Sequence, residues 1–271
     1  MAPQPKVVVT SPRSEMARIV AESLEIDAAA AGNQRVVINA ALLRPNTLLH
    51  DGHAWKRLPP ERILSETRSA IRRARRADFL VHGSWHLAGA YEAGLEVADT
   101  LVPYIEAALS AERLVLESHV PSCVVRLAYL YGPETRDLAA YRRAFRLSRP
   151  YWAGPDDARQ RFIHSHDAAR ALLLAARQEA AGRVLTAHDN QPVSFSGFMD
   201  HFAHLVGNPL PLHLPVQLRP FTYWLIAAEH MEMVRLPTAQ IPPGRRPRGF
   251  HPVYVSYRSG LRDVVDALNR S

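Results

Sequence analysis

Five short apolar runs rich in β-branched residues recur along the chain, and each leads into a stretch whose apolar positions return at helical spacing. KVVVT precedes a helical period over 14–24, RVVIN one over 60–76, DFLVH one over 97–117, SCVVRL one over 136–147, and RVLTAH one over 194–206. Continuous apolar runs suit strands covered on both faces, and the intervening periods supply the covering helices. The alternation therefore predicts an α/β fold, a parallel sheet with helices on both faces. From about Leu205 the pattern changes, with prolines accumulating in VGNPLPLHLPVQLRP and QIPPGRRPRGFHP around the helical candidate FTYWLIAAEHMEMVRL. Because proline punctuates short elements, residues 205–271 are expected to form a smaller C-terminal lobe on a sheet domain of residues 1–204.

With 271 residues and 47% hydrophobic content, the chain can build one large core. The formal charge of +7 is carried almost wholly by arginine, since Lys6 and Lys56 are the only lysines, and it is spread along the chain. No nucleic-acid motif accompanies it, so nucleic acid is not an expected partner. The single cysteine, Cys123, permits no intrachain disulfide and is expected to pack as a small buried hydrophobe, which makes a reducing cytoplasm the expected compartment. MAPQPKVVVT lacks an apolar leader core, and no run approaches the roughly 18 apolar residues of a membrane span. No export and no membrane partner are expected.

Four segments, in order, carry a resemblance. CVVRLAYLYGPE (123–134) contains an Arg-x-x-x-x-Tyr-Gly-Pro turn, and RFIHSHDAARALLLAA (161–176) an aromatic-Ile-His-x-x-Asp helix start. GRVLTAHDNQPVSFSGFMDHFAHLVGNPLPLHLP (182–215) gives a strand, a helix and a Gly-x-Pro, and GFHPVYVSYRSGL (249–261) a C-terminal end. Together they resemble the extended short-chain dehydrogenase/reductases, the NAD-dependent epimerase/dehydratase family, over nearly the whole chain. The resemblance implies a Rossmann-like dinucleotide-binding domain over 1–204, with 127–165 contributing to the cleft, and a substrate lobe over 205–271. It also implies NAD or NADP as cofactor and a small-molecule substrate.

On that frame the opening turn reads Thr-Ser-Pro-Arg-Ser-Glu-Met-Ala, which sets Ser11, Ser14 and Ala17 where the family has three glycines. Those glycines allow a tight turn and a close approach of backbone to pyrophosphate; a Cβ at Ser11 obstructs both. Weakened dinucleotide affinity follows. Helix N-terminal amides, the serine hydroxyls and Arg13 still offer donors to an anion. A solvent-facing turn with serine as N-cap accounts for the same residues. The cofactor positions implied by the resemblance are Ser11, Arg13, Ser14, Glu15 and Met16, then Asn39, Ala40 and Ala41, and finally Leu127.

The second deficit is one of length. Residues 25–34 are too few to hold a strand, helix and strand, and RVVINAA resembles the family's fourth strand. The sheet is thus expected to be shortened on the adenine side, with KVVVT beside RVVIN and no strand beyond. Handedness leaves two arrangements open: the first helix changes faces, or RVVIN takes the second strand's place.

The catalytic pieces are mixed. FLVHGSWHLAG places Ser84 at the family's catalytic serine, and PYIEAALSAERLVLE places Tyr104 at the catalytic tyrosine, with Glu112 holding the register. The lysine position is Ala108. Without that cation a tyrosine titrates near its ordinary value of about 10 and is a poor base at neutral pH, although it can still donate. Ser84 and Tyr104 are expected to meet at the carboxyl ends of the strands. The resemblance adds His86, Arg126, Tyr129 and His164 as substrate residues.

His164, His166 and Asp167, and separately His82 with His86, lack a third and fourth partner, so no metal site is expected. Asp167 is expected as N-cap of the helix that follows it, and Arg72, Arg73, Arg75 and Arg76 as a solvated helix end. Three functions remain open. One is a nicotinamide-dependent enzyme of a nucleotide-linked sugar or similar hydroxylated molecule. Another is a pseudoenzyme serving as a ligand-binding or interaction module, and the third is a non-redox dehydratase or cyclase using Ser84 and Tyr104. The resemblance further implies a homodimer through helix 97–117.

Overall fold

The computed structural model describes residues 7–10, 19–20, 35–40, 42, 58–208, 210–218 and 228–270. Its centre is a parallel five-stranded sheet of β1 (Val7–Thr10), β2 (Val36–Asn39), β3 (Phe79–Trp85), β4 (Ser122–Leu127) and β8 (Val184–Ala187), in the order β1-β2-β3-β4-β8. Every residue of β2, β3 and β4 is buried, which is why these runs carry apolar residues on both faces instead of alternating, with the buried polar residues Asn39, His82, Ser84 and Arg126 towards their carboxyl ends. At the rim, Val8 of β1 is 41% exposed. The register aligns Thr10 with Asn39, Asn39 with His82, Ser84 with Arg126 and Leu127 with Ala187. The carboxyl ends therefore open along one edge.

Among the described residues the sheet ends at β1, and β2 stands between β1 and β3. Helices α1 (Pro60–Ala74) and α3 (Val102–Leu116) cover one face, where Ala74 and Val115 pack with Val37 and Leu80. Helix α5 (Ser165–Ala175) covers the other, against Phe79, Val81, Cys123 and Val125. Ile19 and Val20, which are helical, join the α5 side. They thus lie opposite α1, although β1 to β2 and β2 to β3 step the same way across the sheet.

Helix α3 starts at Val102, not near 97 as its apolar period suggests. The physical reason is Pro103, which fits the first turn, where no N–H partner is needed, and not a helix interior. Asp167 is not the N-cap of α5. His164 caps it, accepting from the His166 N–H at 3.3 Å. Asp167 instead accepts the N–H groups of Val253 and Tyr254, at 2.8 and 2.9 Å. Two extended N–H donors from a distant segment have drawn the carboxylate away from its own helix start.

Helix α2 (His86–Glu92) lies between β3 and α3, and between β4 and α5 come β5 (Tyr129–Tyr131), α4 (Arg136–Arg146), β6 (Arg159–Gln160) and β7 (Phe162–His164). Strand β5 pairs in parallel with β7, and β6 pairs antiparallel with β9 (Val193–Ser194). Beyond them come α6 (Phe195–Leu205), α7 (Ala228–Met233) and α8 (Tyr257–Arg270). Residues of α6, α7 and α8 share one apolar cluster with Trp85, Ile105 and Ala108. Gly260 makes this packing possible, because a Cβ there would stand 2.0 Å from the Tyr131 hydroxyl. Among the described residues no helix is long and apolar enough to cross a membrane.

Candidate functional site

The carboxyl ends of β3 and β4 present Ser84 and Arg126 at the same level, on the face covered by α3. Both are buried, and both meet Glu112 of α3. Ser84 donates its hydroxyl proton to Glu112 Oε1 at 2.6 Å. Arg126 closes a fork on the same carboxylate, with Nη2 at 2.6 Å from Oε2 and Nε at 3.0 Å from Oε1, while its Nη1 reaches Glu92 at 2.6 Å. A bidentate arginine–carboxylate pair of this kind holds its partners firmly in a region without water. Ser84 is thus a structural donor to an ion pair; its proton goes to Glu112 and not to Tyr104.

Tyr104 lies one turn before Ala108 on α3 and is half-buried. Burial raises its pKa, and the carboxylates of Glu229 and Glu61 raise it further. This is the reverse of the cationic neighbourhood that makes tyrosine a base. Ala108, in the place of the lysine, is completely buried in the apolar cluster.

A second chain of polar groups crosses the sheet. Thr10 donates to Asn39 Oδ1 at 3.0 Å, and the Asn39 amide donates to His82 Nδ1 at 2.9 Å. Burial lowers the His82 pKa to about 4, so the ring is neutral and can accept. Ala40 and Leu127 are buried at the strand ends. The remaining cofactor positions, Ser11, Arg13, Ser14, Glu15, Met16 and Ala41, lie outside the described residues. A dinucleotide fits what is described in one respect: the carboxyl ends of β1 and β2 lie side by side, followed by Ala40, which offers only a methyl. With Thr10 bonded to Asn39 and Asn39 to His82, main chain at these strand ends would have to meet the phosphates.

Of the substrate positions, His86 caps a third cluster. Its Nε2 lies 3.2 Å from the Thr238 carbonyl, and its ring centroid 6.4 Å from that of His188. Burial, with the nearby His188 next, lowers its pKa to about 3. Burial likewise lowers His188 to about 4 and raises Asp189 to about 8. Arg161 faces this group, its Nη2 donating to the Ala239 carbonyl at 3.3 Å, and its buried Nε makes no hydrogen bond. His188 Nε2 and one Asp189 oxygen are also buried without a hydrogen bond. The cluster therefore keeps free polar atoms at the end of β8. Arg161, His188 and Asp189 were not among the residues that the motifs single out, but His188 and Asp189 directly follow the RVLTA strand. The rule that ligands sit outside carboxyl ends points to them.

Tyr129 and His164 turn away from this group. The Tyr129 hydroxyl donates to the Met233 carbonyl at 2.9 Å, and His164 Nε2 lies 3.4 Å from Asp263 of α8, with the Tyr254 ring 4.0 Å from its own. Among the described residues no three His, Cys, Asp or Glu side chains gather as a metal site.

A parallel sheet with this strand order, covered by helices on both faces, defines a Rossmann-like α/β fold. Residues 62–187 match the model of the NAD dependent epimerase/dehydratase family. The fold is shared with the human epimerase family protein SDR39U1, solved with NADPH, at a TM-score of 0.69 and 15% identity over 96% of this chain and 99% of that one. It is shared also with RMD from Pseudomonas aeruginosa, complexed with NADPH, at a TM-score of 0.64 and 16% identity over 98% and 99%. WbmF from Bordetella bronchiseptica, in complex with NAD+ and UDP, matches at 0.57 and 16% identity over 92% and 76%. Among curated proteins, a 3-diazoavenalumate denitrifying reductase from Streptomyces sp is 31% identical over 164 residues, 58% of this chain. The match spans about half, 51%, of that relative's length.

Proposed function

We propose that this chain is a nicotinamide-dependent reductase of a small anionic molecule, delivering hydride to an acceptor that needs no proton from a tyrosine–lysine pair. The observation that carries this reading is Ala108, buried in the lysine's place, while Ser84 is bonded to Glu112. Epimerisation or carbonyl reduction forms or consumes an alkoxide and calls for an acid–base group. Tyr104, raised by burial and by two carboxylates, is a poor base. A nucleotide-linked sugar is accordingly the less supported substrate.

A bound dihydronicotinamide would supply hydride. At an acceptor carbon that bears a diazonium group, the C–H bond forms as the C–N bond breaks and its electron pair leaves on dinitrogen, so no alkoxide arises. The reductase from Streptomyces sp is named for a reaction of this class. In this chain, Arg161 with its unpaired Nε is the group to receive the acceptor's anionic end, and His86 and His188, held neutral by burial, line the same space. The test is NADPH consumption with an arenediazonium carboxylate, against an aromatic aldehyde. Consumption above the protein-free rate is expected with the diazonium, with the arene and dinitrogen as products. Aldehyde reduction that Tyr104→Phe abolishes would overturn the reading.

Ser11, Ser14 and Ala17 favour a second reading, a ligand-binding module without turnover. Failure of both NADH and NADPH to bind in a titration of tryptophan fluorescence would select it.

A further inference from the structure

A pocket of about 400 Å³ opens on the α5 face beside β8, at the opposite end of the sheet from β1, and its rim residue Arg246 reaches back to His188 at the end of β8. Its apolar lining is made by Leu174 and Ala175 of α5, by Ala180, and by Leu185 of β8. The rim carries Arg177, Arg183, Arg245, Arg246 and Arg248, with Glu179 as the one acidic group. Glu179 is bonded to Arg248 at 2.6 Å, which leaves four guanidinium charges uncompensated around one opening.

Arg177, Arg183 and Arg245 form no ion pair among the described residues. Arg246 is held by neutral acceptors, Asn190 Oδ1 at 2.9 Å and the His188 carbonyl at 3.4 Å, which orient its fork without cancelling its charge. The wall that bears three of these arginines is fixed by its backbone. The Thr186 N–H donates to the Arg245 carbonyl at 2.9 Å, and Gly244 lies so close to β8 that a Cβ would come within 2.7 Å of the Thr186 methyl. Phe250 anchors the same segment in the core beneath α5. Like charges gathered on a fixed wall above an apolar floor repel one another unless an anion joins them, and guanidinium forks match phosphate oxygens in pairs. The volume lies within the range of small-molecule sites.

We propose that this pocket binds a phosphomonoester with a flat apolar body, the phosphate on the arginine rim and the body on Leu174 and Leu185. The probes are phenyl phosphate, inorganic phosphate and phenol, titrated calorimetrically into the full chain. Phenyl phosphate is expected to bind at least tenfold more tightly than inorganic phosphate, with phenol silent. The doubly substituted Arg183→Ala, Arg245→Ala protein should lose tenfold or more in affinity at an unchanged melting temperature. Glu179→Gln, which removes the competing carboxylate, should gain two- to fivefold, so the two substitutions shift affinity in opposite directions. Equal binding of phenyl and inorganic phosphate, no binding at millimolar concentration, or affinities that neither substitution moves would each overturn the assignment.

Discussion

Ser84 and Glu112 share a proton-donating contact of 2.6 Å in a region sealed from water, and the same carboxylate carries the Arg126 fork. Glu112→Ala would strand a buried guanidinium, with only Glu92, itself 54% exposed, remaining to it. The expected cost is about 3–5 kcal/mol. Ser84→Ala leaves the ion pair whole and should cost only about 1–2 kcal/mol. Urea unfolding of the two variants checks the order; a Ser84 variant as damaged as the Glu112 variant would refute it.

Ala108→Lys tests whether the family's proton relay can be restored. The position is fully buried among apolar side chains, and Glu112, one turn further along α3, already pairs with Arg126 and Ser84, so the new ammonium gains no carboxylate of its own. We expect a loss of roughly 3–5 kcal/mol in stability, and no gain in aldehyde reduction. A stable variant that reduces aldehydes would show that the lysine's place is open after all.

Three buried histidines set the acid limit of the fold. His82, His86 and His188 are lowered from 6.5 to about 4, about 3 and about 4, chiefly by burial. Below pH 6.5 the unfolded chain binds protons that the folded chain refuses, so stability falls as pH drops towards 4. At pH 5 each should cost roughly 1–2 kcal/mol. Urea midpoints between pH 7 and pH 5 report it, and His82→Asn should flatten the slope.

The strands are legible because burial on both faces writes consecutive apolar residues, as VVI of β2 and FLV of β3 show. Pro103 was in plain view as a helix start, yet the apolar period ran past it. The site was less legible for a physical reason. Glu112 is visible in the sequence as one acidic residue of a helix, but its task depends on Ser84 and Arg126, which come from two other elements and meet only when β3 and β4 align. The same holds for Asp167, whose partners, Val253 and Tyr254, lie far along the chain. Arg161 is nowhere marked by spacing; only the fold brings it to His188 and Asp189.

Asp189 predicts the opposite pH response to the histidines. Burial raises its pKa from 3.8 to about 8, so the folded chain holds a proton that the unfolded chain releases. Its contribution is present in full below pH 3.8 and fades as pH rises through 8. Asp189→Asn removes the ionisation and should raise stability above neutral pH by roughly 1–3 kcal/mol. Thermal melts of both proteins at pH 6 and pH 9 would show the gap widening with pH; a gap that narrows would refute the shift.

The last prediction concerns Asp167, whose two oxygens accept the N–H groups of Val253 and Tyr254 and so fasten the segment that leads into α8. Its Oδ1 also lies 3.5 Å from the half-buried Arg170, but the two main-chain donors are what its own buried carboxylate holds in place. Asp167→Asn keeps one acceptor and turns an amide N–H towards a main-chain N–H, leaving at least one donor unbonded. A cost of about 2–3 kcal/mol is expected. The damage should be local at first. Hydrogen exchange is expected to accelerate at 253–254 and through the first turn of α8, while the amides of β3 and β4 keep their protection. Uniform acceleration across the sheet, or none at 253–254, would show that the clasp does not hold the C-terminal helix in place.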